Sequence, residues 1–255
     1  MKVRIDKLLV DKGLAQSRER ASALILAGRV LVNEQKVEKP GVSVDSEAVL
    51  RMLGEDLKYV SRGGLKLERA LDYWEINLNG IKCLDVGAST GGFTDCMLQR
   101  GAASVLAVDT GYGQIAQSLR SDSRVTLMER TNARLLVCGQ LPTDIGFFAM
   151  DVSFISVSLV VSPVILAMGN VDTTWTKDRL SWSGGGVILV KPQFEVGRAG
   201  VGKGGIVRES AGHEFAVKRV RAAVVETGGK VLDVIDSPIK GMEGNKEFLM
   251  RAVWE

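Results

Sequence analysis

Lys191 stands in an unusual place for a lysine. It ends Val187-Ile-Leu-Val190, four aliphatic residues that read as a strand buried on both faces, and Pro192 then stops that strand. Carboxylates mark the ends of three other apolar runs: Asp85 within residues 81–86, Asp109 after residues 104–108 and Asp151 after residues 145–150. In an open sheet of parallel strands, ligands sit beyond the carboxyl ends, so these four side chains are expected to converge on one edge. An amine among carboxylates at such an edge can move a proton. A lysine at its free pKa of about 10.4 carries its proton and takes none. Partial burial and a second cation lower that value and make the amine a base for a weakly acidic hydroxyl.

The stretch Leu84-Asp-Val-Gly87-Ala-Ser89-Thr-Gly91-Gly92-Phe93 adds a binding function. Its glycines follow a strand, open a helix, and let the backbone turn sharply and approach a ligand. Asp109, 24 residues beyond Asp85 (109 − 85), is placed to accept hydrogen bonds from a ribose. A glycine loop and a ribose acid point to an adenosine-containing cofactor. The dinucleotide fingerprint is G-x-G-x-x-G, whereas the spacing here is G-x-x-x-G-G with Asp85 just ahead. An anion so close to the loop repels a pyrophosphate and suits a ligand with an ammonium group and no phosphates. That point favours S-adenosylmethionine over NAD.

The elements that must position these residues alternate. Strand-like runs at 81–86, 104–108, 124–128, 145–150 and 187–190 are mostly separated by helical segments, the pattern of a doubly wound α/β sheet. Runs at 230–235 and 248–253 flank only a short loop and are expected to pair antiparallel. Residues 155–168 read as a buried helix. Ahead of all this, residues 1–58 read as a small α+β unit. Ile5, Leu8 and Leu9 mark a helix that ends near Gly13; Ser17 caps a second helix that ends at Gly28; a hairpin turns at Asn33 to Gln35. Residues 1–29 hold seven Lys/Arg and three acids.

A chain of 255 residues with 45% hydrophobic residues can bury a large core, and its net charge of +3 does not by itself imply nucleic acid. Three cysteines without CxxC spacing fit a reduced, cytoplasmic protein with no structural metal. There is no signal-peptide core with a cleavage site and no apolar run of about 18 residues, so no membrane role is expected. The five glycines and three cations between Glu195 and Arg208, Arg198 and Lys203 among them, suggest a mobile basic lid beside the site, suited to a phosphate backbone. His213, the only histidine, has no partner motif and reads as structural; Lys218, Arg219 and Arg221 read as the solvated side of a helix.

RIDKLLVDKGLAQSRERASALILAGRVLVNEQKVEKPG resembles the alpha-L RNA-binding motif. The resemblance implies that Arg4, Arg18, Arg20 and Arg29 face RNA phosphates, contacts that give affinity and register more than sequence choice. LDVGASTGGFTDCML resembles the donor loop of FtsJ-like RNA methyltransferases. The set SRGGLKLERAL, LDVGASTGGF, MDVSFIS, VKPQFEVG and GNKEFL, in that order, looks like the TlyA family, which methylates ribosomal RNA on ribose 2′-oxygens. Residues 170–185, NVDTTWTKDRLSWSGG, depart from the family by being longer and Trp-rich. Some members carry a haemolysin label, but nothing in this sequence supports a pore.

The resemblance implies a Rossmann-like methyltransferase sheet over 81–255, a linker and leading helix over 59–80, and an RNA-binding domain over 1–58. It further implies a Lys-Asp-Lys-Glu set around the reacting hydroxyl: Lys66, Asp151, Lys191 and Glu247. Lys191 is then the base, and the carboxylates orient the amines. Asp85, Gly87, Ser89, Gly91, Gly92, Phe93 and Asp109 are expected to hold S-adenosylmethionine, with rRNA in ribosomal subunits as the partner. A non-catalytic RNA- or ribosome-binding protein on the same fold is the alternative, disfavoured because all four positions of the set are filled.

Overall fold

The structure, a computed structural model, describes residues 2–15, 17–53, 58–169, 182–241 and 244–255. They form two units, Met1–Leu57 and Lys58–Glu255. In the first, β1 (Lys2–Arg4) leads into α1 (Ile5–Asp11), and α2 (Arg18–Leu26) packs on it through Ile5, Leu9, Ala21 and Ile25. Ser17 Oγ accepts from the Arg20 N–H at 3.2 Å and caps α2, as the sequence predicts. Gly28 leaves the helix at φ +65°, a conformation that costs glycine nothing. The hairpin of β2 (Val30–Val32) and β3 (Gln35–Lys36) turns on two residues, Asn33 and Glu34, both at positive φ, so Gln35 already belongs to the ladder opposite Val32. Strand β4 (Ser43–Asp45) pairs with β1, and β5 (Leu50–Met52) completes the ladder beside β2.

The second unit opens with α3 (Gly63–Tyr73). Its Leu67, Ala70 and Leu71 are buried against the same core as α4, so the segment after residue 58 is packed structure. The elements then run β6 (Lys82–Val86), α4 (Gly92–Gln99), β7 (Ser104–Val108), α5 (Gln117–Arg120), β8 (Val125–Met128), β9 (Phe147–Met150), α6 (Ser158–Met168), β10 (Gly184–Val190), α7 (Pro192–Glu195), α8 (Ser210–Glu226), β11 (Lys230–Asp236) and β12 (Phe248–Trp254). The seven strands lie in the order β11-β12-β10-β9-β6-β7-β8, and β12 runs antiparallel to both its neighbours.

Alternate residues of the central strands serve two cores. Phe147, Ala149, Val187 and Leu189 face α3 and α4; Phe148, Met150, Ile188 and Val190 face α6 and α8. Burial on both faces is why these strands read as unbroken apolar runs. The sheet is therefore Rossmann-like and doubly wound, as expected. Strand β10 starts three residues before the aliphatic run. A Cβ on Gly186 would sit 2.4 Å from the Phe148 ring, and Phe148 packs with Trp182 and Trp254 over these glycines. Of the atypical stretch 170–185, residues 170–181 lie outside the described residues, while Trp182 is buried and donates to the Ile145 carbonyl at 2.6 Å.

The chain builds outward from β6 through β7 to β8, then returns to place β9 on the other side of β6. The carboxyl ends of β6 and β9 thus flank the topological switch point, where open α/β sheets bind ligands.

Candidate active site

Four elements deliver four charged side chains to that edge. Lys66 projects from the first turn of α3, Asp151 follows β9, Lys191 follows β10, and Glu247 immediately precedes β12. The antiparallel strand explains the last placement. Because β12 runs against β10, its first residue, Phe248, pairs with Val190, the last residue of β10. The start of one strand therefore meets the end of the other, and Glu247 arrives beside Lys191.

The four groups form a charge-balanced chain. Lys66 Nζ donates to Glu247 Oε2 at 2.6 Å and lies 3.9 Å from Asp151 Oδ2. Lys191 Nζ donates to Ser153 Oγ at 2.7 Å and approaches Asp151 Oδ1 at 2.6 Å, outside hydrogen-bond alignment. Asp151 thus sits between the two amines. Both lysines and Glu247 are buried, which a lone amine would not tolerate but two paired ones do. Ser153, the hydroxyl partner of Lys191, was not singled out from the sequence, although it lies within the MDVSFIS motif.

These residues line a cavity of about 400 Å³ together with Gly87, Ser89, Gly92 and Phe93 of the glycine loop. Gly87 has φ +88°, and a Cβ there would fall 2.6 Å from the Asp151 carbonyl oxygen. Only glycine lets the β6 loop pass the end of β9 so closely. A smaller cleft next to it is lined by Ser89, Asp109, Gln114 and Ile115. Asp109 accepts from the Ser89 N–H at 2.8 Å and from the Gly111 N–H at 2.6 Å. It fixes the loop as well as facing the cleft, and each oxygen keeps a lone pair. Ser89 is in the left-handed region at φ +49°.

Of the predicted donor-binding residues, Gly92 has a second task and Asp85 lines neither space. A Cβ on Gly92 would meet Ser61 Oγ at 2.3 Å and Gly64 N at 2.9 Å, so this glycine also lets α4 and α3 approach each other. Asp85, expected as an anion facing an ammonium group, turns inward. It is fully buried, accepts from Thr94 Oγ1 at 2.6 Å and lines neither the cavity nor the cleft. Burial pushes its pKa up to about 7. A carboxyl that is half neutral near pH 7 repels a pyrophosphate weakly, so the case against a dinucleotide rests on the loop spacing. The period-2 strand pattern could not reveal this, since a strand-end aspartate faces either the ligand or the core.

In the first unit, Arg4 donates through Nε and Nη2 to the two oxygens of Asp6 at 3.1 and 2.9 Å, and Arg18 Nη2 reaches the same carboxylate at 3.0 Å. These bonds, Arg4's first, hold Asp6 well below the usual carboxylate range. Both guanidinium groups remain more than half exposed. Arg29 Nε donates to the Leu53 carbonyl at 2.8 Å, and Arg20 lies on the first turn of α2.

The loop after α7, expected to be mobile, bonds to the rest of the unit at residues 205 and 207. Glu195 is buried and accepts from Ser156 Oγ and the Val157 N–H. Asn245 bonds residues 205 and 207. Arg198 and Lys203 are exposed on this loop, without an acidic partner among the described residues. His213 Nε2 lies 2.9 Å from the Val207 carbonyl, a structural contact. Arg219 is not merely solvated, since Nη1 donates to the Glu195 carbonyl at 2.8 Å, whereas Lys218 and Arg221 are exposed. Among the described residues no cluster is arranged to hold a metal ion, and no helix is long and apolar enough to cross a membrane.

Residues 59–253 match the model of the FtsJ-like methyltransferases, and residues 3–50 match the S4 domain. The "16S/23S rRNA (cytidine-2'-O)-methyltransferase TlyA" of Mycobacterium tuberculosis is 40% identical over 250 residues, which cover 98% of this chain and 89% of that protein. The chain belongs to the TlyA family of FtsJ-like methyltransferases. YqxC of Bacillus subtilis is 44% identical over 254 residues, covering 99% of this chain and 86% of that one. A solved structure from Streptococcus thermophilus superposes at a TM-score of 0.71 and 41% identity, covering 99% of this chain and 88% of that one. The S4 match falls in the first unit and the methyltransferase match in the second, and the tetrad of Lys66, Asp151, Lys191 and Glu247 lies entirely within the latter.

Proposed function

We propose that this chain transfers a methyl group from S-adenosylmethionine to a ribose 2′-hydroxyl of ribosomal RNA presented in ribosomal subunits. The observation that carries the reading is the chain of Lys66, Glu247, Asp151 and Lys191 along the wall of the cavity that the glycine loop also lines. A volume of about 400 Å³ is within the range of small-molecule sites. The loop at Gly87 and Ser89 runs from this cavity to the Asp109 cleft, which suits an adenosyl group at one end and an amino-acid tail at the other. The donor, when bound, supplies an electrophilic methyl sulfonium.

The protein's own residues handle the hydroxyl. Lys191 Nζ, without its third proton, accepts the hydroxyl proton as the oxygen attacks. Asp151 Oδ1, 2.6 Å away, faces the ammonium that forms and stabilises it. Lys66, held by Glu247, supplies the second positive charge close to Asp151, and Ser153 fixes the direction of the Lys191 amine. Alignment of the reacting atoms supplies the remaining rate gain. Arg4, Arg18, Arg20 and Arg29 of the S4 domain, with Arg198 and Lys203, are read as phosphate contacts that hold the RNA without choosing its sequence. The three free cysteines suit the reducing cytoplasm, where such a substrate is found.

The test is to incubate the protein with donor and each ribosomal subunit and map methylated riboses by mass spectrometry. A new 2′-O-methyl mark is the expected result. Bound donor and bound RNA with no mark would make the chain a non-catalytic RNA-binding protein on this fold.

A further inference from the structure

The GNKEFL motif contains a residue to which the tetrad assigns nothing. Asn245 is 1% exposed, and both ends of its amide are used. Nδ2 donates to the Gly205 carbonyl at 2.8 Å, and Oδ1 accepts from the Val207 N–H at 2.9 Å. Its own carbonyl accepts from the Gly241 N–H at 2.9 Å, two residues before Glu247. A Cβ on Gly241 would lie 2.6 Å from Glu247 Oε1, so Gly241 lies directly against the carboxylate. Two residues beyond Asn245, the Glu247 carbonyl accepts from the Ser237 N–H at 2.9 Å while its side chain holds Lys66.

The other end of this connection is the glycine-rich loop. Residues 202–206 fold back on themselves through Gly202 N–H to the Ile206 carbonyl at 3.1 Å. The hydrogen bonds that tie this limb to the rest of the unit run to Asn245 and to His213, whose ring also packs on Phe248, the residue after Glu247. The same loop displays Arg198 and Lys203. If Asn245 served packing alone, an apolar residue would fill its place. A buried amide that meets one donor and one acceptor on a neighbouring loop fixes that loop in a single position, because slippage would strand polar groups away from water.

We infer that Asn245 is a positioning residue that locks the basic loop and the segment from Asn245 to Glu247 into one piece, so that the loop's placement on RNA sets the Lys66–Glu247 pair for reaction. This rests on the methyltransferase reading above. Asn245→Ala removes both side-chain bonds. Asn245→Asp keeps the size and the bond from Val207 N–H, but sets a carboxylate oxygen against the Gly205 carbonyl.

The full-length protein is tested three ways: trypsin cleavage after Arg198 and Lys203 followed by mass, donor affinity by calorimetry, and single-turnover methyl transfer to ribosomal subunits with donor saturating. Asn245→Ala is expected to speed cleavage and slow transfer by about tenfold or more, with donor affinity within about twofold of wild type. Asn245→Asp is expected to fall between wild type and Asn245→Ala in cleavage and in transfer, again with donor affinity unchanged. Wild-type transfer by either variant would overturn the inference, as would unchanged cleavage. Parallel loss of donor affinity and transfer would also overturn it, by making Asn245 a folding residue. A wild-type protein that transfers no methyl group would instead remove the methyltransferase reading on which the inference rests.

Discussion

Lys66 Nζ and Glu247 Oε2 meet at 2.6 Å across 181 residues of sequence, and both are buried. Such a pair keeps its place only while each partner compensates the other's desolvation. Glu247→Gln preserves shape and a hydrogen-bond acceptor but removes the charge that offsets Lys66. Transfer should fall roughly tenfold to a hundredfold, or about 1.4–2.7 kcal/mol in the barrier. Donor affinity should be unchanged, because the proposed function puts Glu247 at the reacting end of the cavity. Single-turnover rates beside calorimetry check both halves of this expectation.

On the proposed function, Lys191 acts either as a base or as a fixed positive charge, and arginine separates the two. Lys191→Ala should lower the rate by at least about a hundredfold with donor affinity nearly unchanged. If Lys191 accepts the proton, Lys191→Arg rescues little, because a guanidinium stays protonated. Substantial rescue by arginine would mean that the group acts as a clamp on a developing negative oxygen. Rates for the two variants, with folding checked by melting, decide between these roles.

Asp109→Ala should weaken donor binding by roughly 1.5–3 kcal/mol through the loss of a charged hydrogen-bonding group. The structure adds a second consequence. The carboxylate also holds the Ser89 and Gly111 N–H groups, so its removal frees the glycine loop. Hydrogen exchange at Ser89 and Gly111 should quicken in the variant even without donor. Unchanged donor affinity by calorimetry would remove Asp109 from the binding site.

Asp85 makes stability depend on pH in a defined direction. Its pKa in the folded protein is pushed up by burial to about 7, against about 3.9 in an unfolded chain. Below the lower value both states carry the proton. Between the two, the unfolded chain has lost it while the folded protein keeps it, so stability falls as pH rises through this window and is level above it. Asp85→Asn keeps an acceptor for Thr94 and removes the titration. The variant's melting temperature relative to wild type should therefore climb from about pH 4 to about pH 7 and then flatten. A difference that does not vary with pH would show that Asp85 is ionised in the folded protein.

Much of this protein is legible without its structure, for local reasons. The doubly wound sheet follows from apolar runs at 104–108 and 187–190 alternating with helices, because strands buried on both faces admit few polar residues. The cap at Ser17 and the end of α2 at Gly28 depend on only a few neighbouring residues. The glycine loop, Asp109, Asp151 and Lys191 announce themselves as polar or glycine residues at strand ends.

Tertiary structure decided what depends on distant partners. Lys66 on its own is one lysine on an amphipathic helix; only the packing of α3 and the reversed direction of β12 bring it to Glu247. The inward turn of Asp85 toward Thr94 and the role of Gly92 between α3 and α4 have no local signature, since each depends on which neighbour fills the adjacent space. The early start of β10 was hidden because glycines carry no strand signal of their own, and the Phe148 and Trp254 rings, packed with nearby Trp182, supply the cover from elsewhere in the chain. The five glycines of the basic loop suggested mobility, yet a buried amide 38 and 40 residues further along, at Asn245, bonds to that loop, as does the His213 ring. Composition sets how freely a segment can move in isolation, and long-range hydrogen bonds decide whether it does.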